Sequence, residues 1–279
     1  MFNPRYIEII KKLNCFFKKK NSLVFIHADI FRSFKVDFTN KYDFFKKHLT
    51  FIKKITNSSK LIFPAFNYKF PKTNEFNIQK DKAETDHFTE YYRKNFSKFR
   101  TTVPIFSSTS DFKINGFYKL SKTINPFGKK SIFHYLYNRN GKILYYGAPF
   151  SASTFIMYVE ETFRNGPIYR YEKKIHGKII NKKKTLHVNF TFHVRPPSDK
   201  YHLEYDWKKI ENDLKKNKLI YIYKNGIMQF RVLNVKKVTN YLHSRLKKDD
   251  FYLIDKKSKK WIIPFFKKIN RRFIINDFE

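Results

Sequence analysis

In the stretch STFIMYVEE, residues 153–161, Thr154, Met157 and Glu160 recur every third residue, a spacing that stacks side chains on one face of a helix. A His one turn before a Glu on such a face would set a base beside a carboxylate, ready to move a proton. Met157 holds the position of that base, and a thioether offers polarizable bulk but moves no proton. Glu160 is then the group on this face able to accept one, provided burial raises its pKa toward the working pH. Glu161 points about a quarter-turn away and is the weaker candidate. Thr154 stands at the helix start, where its hydroxyl bonds either its own backbone or a ligand. The same residues also suit an ordinary core helix, with Met157 as filling and Glu160 in a salt bridge.

The elements that position this helix follow from hydrophobic spacing. YIEIIKKLNCFF, with Ile7, Ile10, Leu13 and Phe17 on one side, predicts an amphipathic helix. SLVFIHADI predicts a buried strand, YDFFKKHLTFIKKIT a helix, and KLIFPAF a second strand stopped by Pro64. TDHFTEYYRKNF predicts a helix capped by Thr85 or Asp86, and SIFHYLYNRNG a short one ended by Asn140-Gly141. KILYYGA predicts a third strand that leads into the Thr154 helix. After about Tyr169 the texture changes. YEKKIHGKII and TLHVNFTFHVR predict two strands around a basic turn, followed by a helix at WKKIENDLKKN. LIYIYKNGIMQFRVLNV predicts a hairpin whose Asn225-Gly226 suits a type I′ turn, and VTNYLHSRLKKD a closing helix.

This order predicts a single α/β domain with a mixed central sheet flanked by helices, over residues 1–255. A basic and aromatic tail, 256–279, follows it. There Trp261, Phe265 and Phe266 interleave with Lys and Arg. Such a segment either makes a peripheral contact with an anionic membrane or packs onto the domain, and Pro264 argues against one continuous helix.

Composition bounds the function classes. At 279 residues, 42% apolar and 19% aromatic, the chain can bury a sizeable core. No apolar run approaches the roughly 18 residues that cross a bilayer, and the first segment lacks the pattern of a signal peptide. The single Cys15 excludes an internal disulfide and fits a cytoplasmic protein. No Cys/His spacing suggests a metal site. The net charge of +36 points either to a polyanion partner or to compositional drift, in which Lys, Asn, Ile, Phe and Tyr are inflated while only 7 Gly remain. Because the lysines are spread along the chain and no nucleic-acid motif occurs, no specific nucleic-acid partner is expected.

Several pieces in order resemble the aminoglycoside 3-N-acetyltransferase family, whose fold is distinct from that of the GNAT enzymes. LVFIHADI resembles the family's V-H-S-S/D-L strand and loop, and LIFPAFNYKF its strand ending in P-T/A-F. TDHFTEYYRK resembles its G-x-x-x-E-x-x-R helix, and RTTVPIFSSTSDFKING its R-S/T-x-H/D-P-x-x-S segment. FGKKSIFHYLYNRNGKILYYGAPFSASTFIMYVEE resembles F/Y-G-x-x-S followed by the T-x-x-H-x-x-E helix. YRYEKKIHGKI looks like the segment that follows in members associated with surface-polysaccharide genes. The match spans about residues 5–250.

The resemblance implies acetyl-CoA as cofactor and an amino-sugar or aminoglycoside amine as acceptor. It implies cofactor contacts at His27, Asp29, Arg32 and Ser131, substrate contacts at Glu90, Arg100 and Ser107, and catalysis by Glu160 and Thr154. Coenzyme A phosphates would be received by free backbone N–H groups and nearby Lys or Arg. Each position also has a structural use: His27 as a hydrogen-bonded strand-end His, Asp29 and Ser131 as helix caps, Arg100 and Ser107 as anchors of their loop. The departures lie at Met157, where the family has its basic His, at Val103, where it has His or Asp, at Ala28-Asp29, where it has Ser-Ser or Ser-Asp, and at Asp86, where it has Gly. They leave two rivals to an active transferase: a degenerate member that binds coenzyme A or a sugar without turnover, and a polyanion-binding protein.

Overall fold

The computed structural model describes residues 4–17, 22–57, 59–114, 121–197 and 200–278. The basic stretch 18–21 that bounds the first predicted strand, and residues 115–116 of the RTTVPIFSSTSDFKING segment, lie outside the described residues. In chain order the first half runs α1 (Pro4–Asn14), β1 (Leu23–Ala28), α2 (Lys41–Ile55), β2 (Lys60–Pro64), α3 (Phe70–Thr73), β3 (Glu75–Asn77), α4 (His87–Asn95), β4 (Phe99–Arg100), β5 (Ser108–Ser110) and β6 (Thr123–Ile124). Then follow α5 (Ile132–Asn138), β7 (Lys142–Tyr146), α6 (Phe155–Thr162), β8 (Tyr171–Asn181), β9 (Lys184–Val194), α7 (Trp207–Lys216), β10 (Ile220–Asn225), β11 (Met228–Asn234), α8 (Val235–Leu246) and α9 (Lys256–Ile269).

The larger sheet has seven strands in the order β10-β11-β7-β1-β2-β5-β4. Its centre is parallel: β1 pairs in parallel with both β2 and β7, while the outer pairs are antiparallel. Alternate residues of β1 face opposite layers, as a two-residue repeat requires. Val24 and Ile26 join the core under α1, α2 and α4. Phe25 joins the core under α5, α6, α7 and α8. Covering a parallel sheet on both faces explains why LVFI and LIF read as uninterrupted apolar runs.

A second sheet, ordered β3-β8-β9-β6, is a structure of its own that the single central sheet expected from the sequence did not include. Its spine is the β8–β9 hairpin, with Tyr171 opposite Val194 and Asn181 opposite Lys184. The short strands β3 and β6 dock on its edges in parallel. They supply too few residues to show a periodic signal.

Two local expectations change. The β10–β11 turn is Gly226-Ile227, since Asn225 pairs directly with Met228. A positive φ falls on Gly226 alone, at +57°, which is the pattern of a type II′ turn. The tail also forms a continuous helix, α9, through Pro264. Pro264 and Lys260, the residue whose carbonyl it leaves unbonded, are both exposed, so water can satisfy that carbonyl. Asp255 caps α9 by accepting from the Ser258 N–H at 2.6 Å. Ile262, Phe273 and Phe278 bury themselves with Tyr169, Tyr171 and Leu203, and Trp261 donates to the His202 carbonyl at 2.6 Å. The tail's aromatic residues thus pack onto the domain. Among the described residues no helix is long and apolar enough to cross a membrane.

Candidate active site

The carboxyl ends of β1 and β7 lie side by side, with His27 opposite Tyr145 and Ala28 opposite Tyr146. In doubly wound sheets this edge is where loops gather ligands. The loops that leave the two strands pack closely. Gly147 has φ +74°, and a Cβ there would stand 1.9 Å from the Asp29 carbonyl, so only glycine fits. The His27 ring stacks on Tyr145 with centroids 5.3 Å apart. Burial pushes the His27 pKa down to about 3, which leaves the ring neutral. Among the described residues its buried Nε2 has no hydrogen-bond partner. Tyr145 Oη donates to Ser153 Oγ at 2.6 Å, and Thr154 follows at the start of α6. Thr154 makes no capping bond, and its buried Oγ1 likewise has no partner among the described residues. Native proteins rarely leave such atoms unsatisfied.

Farther along α6 the two glutamates differ. Glu160 is 3% exposed. Tyr169 Oη and Tyr205 Oη donate to its two oxygens, each at 2.5 Å. Arg170 Nε lies 3.2 Å from Oε2, close enough for an ion pair though off the angle of a hydrogen bond. Burial first, and then the neighbouring Glu160, drive both tyrosine hydroxyls well above the usual phenol range. Glu160 therefore serves a closed polar knot inside the fold, and next to none of it reaches a surface.

Glu161 lies one turn beyond Met157, at the i+4 position of the same face. Its Oε2 is 2.6 Å from Nδ1 of His193, on β9, and its Oε1 accepts from Asn125 Nδ2 at 2.8 Å. Burial works to raise this carboxyl. The bonds from His193 and Asn125 outweigh it and hold the pKa below the usual range. His193 is 6% exposed, and Arg272 Nη1 faces its Nε2 at 3.4 Å. Arg272 can only donate, so Nε2 is the acceptor and Nδ1 carries the hydrogen toward Glu161. Gly166 gives the ring its seat: with φ +103°, a Cβ there would come 2.2 Å from His193 Cε1. No sequence signal marks His193, because it meets Glu161 only through the docking of β9 on α6.

The remaining expected residues make other contacts. Asp29 pairs with Arg32 at 3.4 Å, and Arg32 is mostly exposed. Ser131 caps α5, accepting from the His134 N–H at 3.2 Å. Glu90 accepts from the Ala83 N–H at 2.8 Å and from Arg93 at 2.7 and 2.8 Å. Arg100 donates to Ser107 Oγ at 3.0 Å and to the carbonyls of Ala65, Ile78 and Asp81. Burial lowers the Arg100 pKa to about 10. Glu90, Arg93 and Arg100 all fasten segment 78–83, since Arg93 also reaches the Gln79 carbonyl. The structure thus links His27 to the residue before Thr154 through Tyr145 and Ser153, and ties Glu90, Arg100 and Ser107 into a loop anchor.

Beside the β1 loop a groove of about 1750 Å³ runs between α2 and the start of α4. Phe31, Phe34, Phe38 and Phe44 wall it, Asp29 lines one side, and Lys35 and Lys41 stand among its lining residues. Among the described residues no group of three or more His, Cys, Asp or Glu could hold a metal ion.

A mixed sheet covered on both faces, with orphaned polar atoms at its carboxyl edge beside a short helix, defines an α/β protein with a candidate site at the sheet edge. The family model described as aminoglycoside 3-N-acetyltransferase matches residues 55–247, and the chain belongs to that family. Its fold is shared by solved structures of low identity. "AAC-IIIb binary with CoASH" superposes with a TM-score of 0.68 at 13% identity, covering 87% of this chain and 96% of that one. "Aminoglycoside acetyltransferase AAC(3)-Xa" gives 0.68 at 12%, covering 89% and 93%. The YokD protein from Bacillus subtilis gives 0.62 at 14%, covering 90% and 96%. A search of curated proteins finds no match.

Proposed function

We propose that this protein is an acetyl-CoA-dependent N-acetyltransferase that acts on an amine of an amino sugar in a surface-glycan precursor, in the cytoplasm. The observation that carries this reading is the pair of orphaned polar atoms, His27 Nε2 and Thr154 Oγ1, at the carboxyl edge of a family member's sheet. These residues fit a thioester: a hydroxyl donor and a neutral imidazole beside a loop bearing Arg32. The phenylalanine-walled groove, with Lys35 and Lys41, fits the apolar arm and phosphates of coenzyme A. Bound there, acetyl-CoA would supply an activated acetyl group, and Thr154 would orient its carbonyl. Arg32 and Asp29 border the cofactor on the solvent side, and Ser131 acts by fixing the start of α5. Glu160 is a positioning residue that holds the end of α6 against the segments leading into β8 and α7, while Glu90, Arg100 and Ser107 shape the acceptor side through segment 78–83.

The family's name refers to aminoglycosides, and one solved neighbour is described as sisomicin-bound. Here the net charge of +36 opposes a polycation. An aminoglycoside carries several ammonium groups, which a strongly basic protein repels within a Debye length. An amino sugar attached to a phosphate group brings one amine and a compensating negative charge. The rival reading, binding without turnover, draws on Met157 in place of the expected His. A transfer screen tests the choice, with thiol release and product mass read for phosphorylated amino sugars, simple amino sugars and sisomicin. Acetylation of the phosphorylated sugars ahead of sisomicin is expected. Acetylation of none, with acetyl-CoA bound, would favour the rival reading.

A further inference from the structure

We propose that His193, oriented by Glu161, is the proton acceptor of the transfer reaction, taking the work of the His that Met157 displaces. This deepens the acetyltransferase reading and rests on it. Four observations converge. Glu161 stands four residues after Met157 on α6, one turn on, so the carboxylate that holds the imidazole projects from the helix one turn from where the resemblance expects a base. The 2.6 Å contact from His193 Nδ1 to Glu161, itself held by Asn125, fixes one tautomer and turns the Nε2 lone pair away from the carboxylate. Gly166, in a backbone conformation that glycine favours, clears the space the ring occupies. Finally, the only described hydrogen-bond partner of Nε2 is the Arg272 guanidinium at 3.4 Å, a long contact that a substrate ammonium, another cationic donor, can replace.

The step balances. The acceptor ammonium gives one proton to His193 Nε2, and the neutral nitrogen attacks the acetyl carbon of the thioester. The C–N bond forms and the C–S bond breaks. The nitrogen's surplus proton passes to the departing thiolate, and the imidazolium returns its proton to solvent. Glu161 stabilises the imidazolium while it lasts, as a buried carboxylate does in other His–carboxylate pairs. Arg272, fastened to the Arg164 and Gly166 carbonyls at 3.1 and 2.9 Å, brings the C-terminal segment into this centre.

The test compares wild type, His193→Ala, His193→Asn and His193→Asn with Met157→His. Thiol release with an amino-sugar acceptor is measured alongside acetyl-CoA binding by calorimetry. The Asn amide can still donate to Glu161 but accepts no proton, so it separates seating the loop from proton transfer. Both single variants should lose about 10²–10⁴-fold in turnover while still binding acetyl-CoA. Adding Met157→His should recover part of the rate by returning a base to the same helix face. Turnover in His193→Asn within a few-fold of wild type overturns this assignment and leaves the transferase reading standing. A wild type that binds no acetyl-CoA and acetylates no amine overturns both.

Discussion

Replacing Glu160 by Gln separates a scaffold from a proton acceptor. In the folded protein its two oxygens take hydrogen bonds from Tyr169 and Tyr205 at 2.5 Å, and Arg170 stands 3.2 Å away with a side chain only 3% exposed. Gln keeps the shape but removes the charge. It also turns an NH2 donor toward groups that can only donate, or already do so. Breaking one partner of a buried ion pair costs about 3–5 kcal/mol, because the remaining charge stays buried and uncompensated. Arg170 keeps its contact with the Tyr205 ring at 5.2 Å, which places the loss toward the lower end. At about 2 °C per kcal/mol for a chain of this size, melting should fall by about 6–8 °C. Thermal unfolding followed by far-UV circular dichroism measures this, with turnover assayed well below the transition. A melting temperature within about 2 °C of wild type, together with abolished turnover, would refute the scaffold role and return Glu160 to the chemistry.

Three more outcomes follow from named contacts. Gly166→Ala should cut turnover while stability falls by about 1–2 kcal/mol, since the new Cβ displaces the His193 ring and Ala at φ +103° is strained; unchanged turnover would mean that the ring's seat is unimportant. Burial depresses His27 to a pKa of about 3 and His48 to about 4, against 6.5 when unfolded. The unfolded chain therefore binds their protons first, and stability should fall as pH drops below 6.5, by up to about 1.4 kcal/mol per pH unit for each. Denaturant melts at stepped pH show the slope, and His27→Gln should flatten it. Ser131→Ala should cost about 1 kcal/mol through loss of the α5 cap while leaving acetyl-CoA affinity unchanged; weaker binding would place Ser131 on the cofactor.

Much of the fold was legible because its signals are local. The apolar runs of β1 and β2, the Asp86 cap that accepts from the Thr89 N–H at 2.6 Å, and the helical spacing of α2 and α8 depend on neighbours in sequence. What escaped depends on docking. β3 and β6 have three and two residues and become strands only by pairing with β8 and β9. The turn residues Gly226-Ile227 follow from the register of Asn225 with Met228, which the Asn-Gly pair alone misplaces by one. The helix of the candidate site was legible. The difference between Glu160 and Glu161 was not. Adjacent in sequence, they point into different surroundings, one toward Tyr169, Arg170 and Tyr205, the other toward Asn125 and a histidine 32 residues away. Arg100 and Ser107 likewise read as substrate contacts until the Ala65, Ile78 and Asp81 carbonyls account for their donors.

Calorimetric titration of acetyl-CoA into wild type and Thr154→Val, at physiological salt, is the most direct test that this chain is an acetyltransferase. Thr154→Val keeps the volume of the side chain and removes the one unpartnered hydroxyl at the start of α6. Saturable binding to wild type, weakened by about 1–2 kcal/mol in Thr154→Val, is the predicted result. No heat of binding at millimolar acetyl-CoA, with the chain folded, would contradict it.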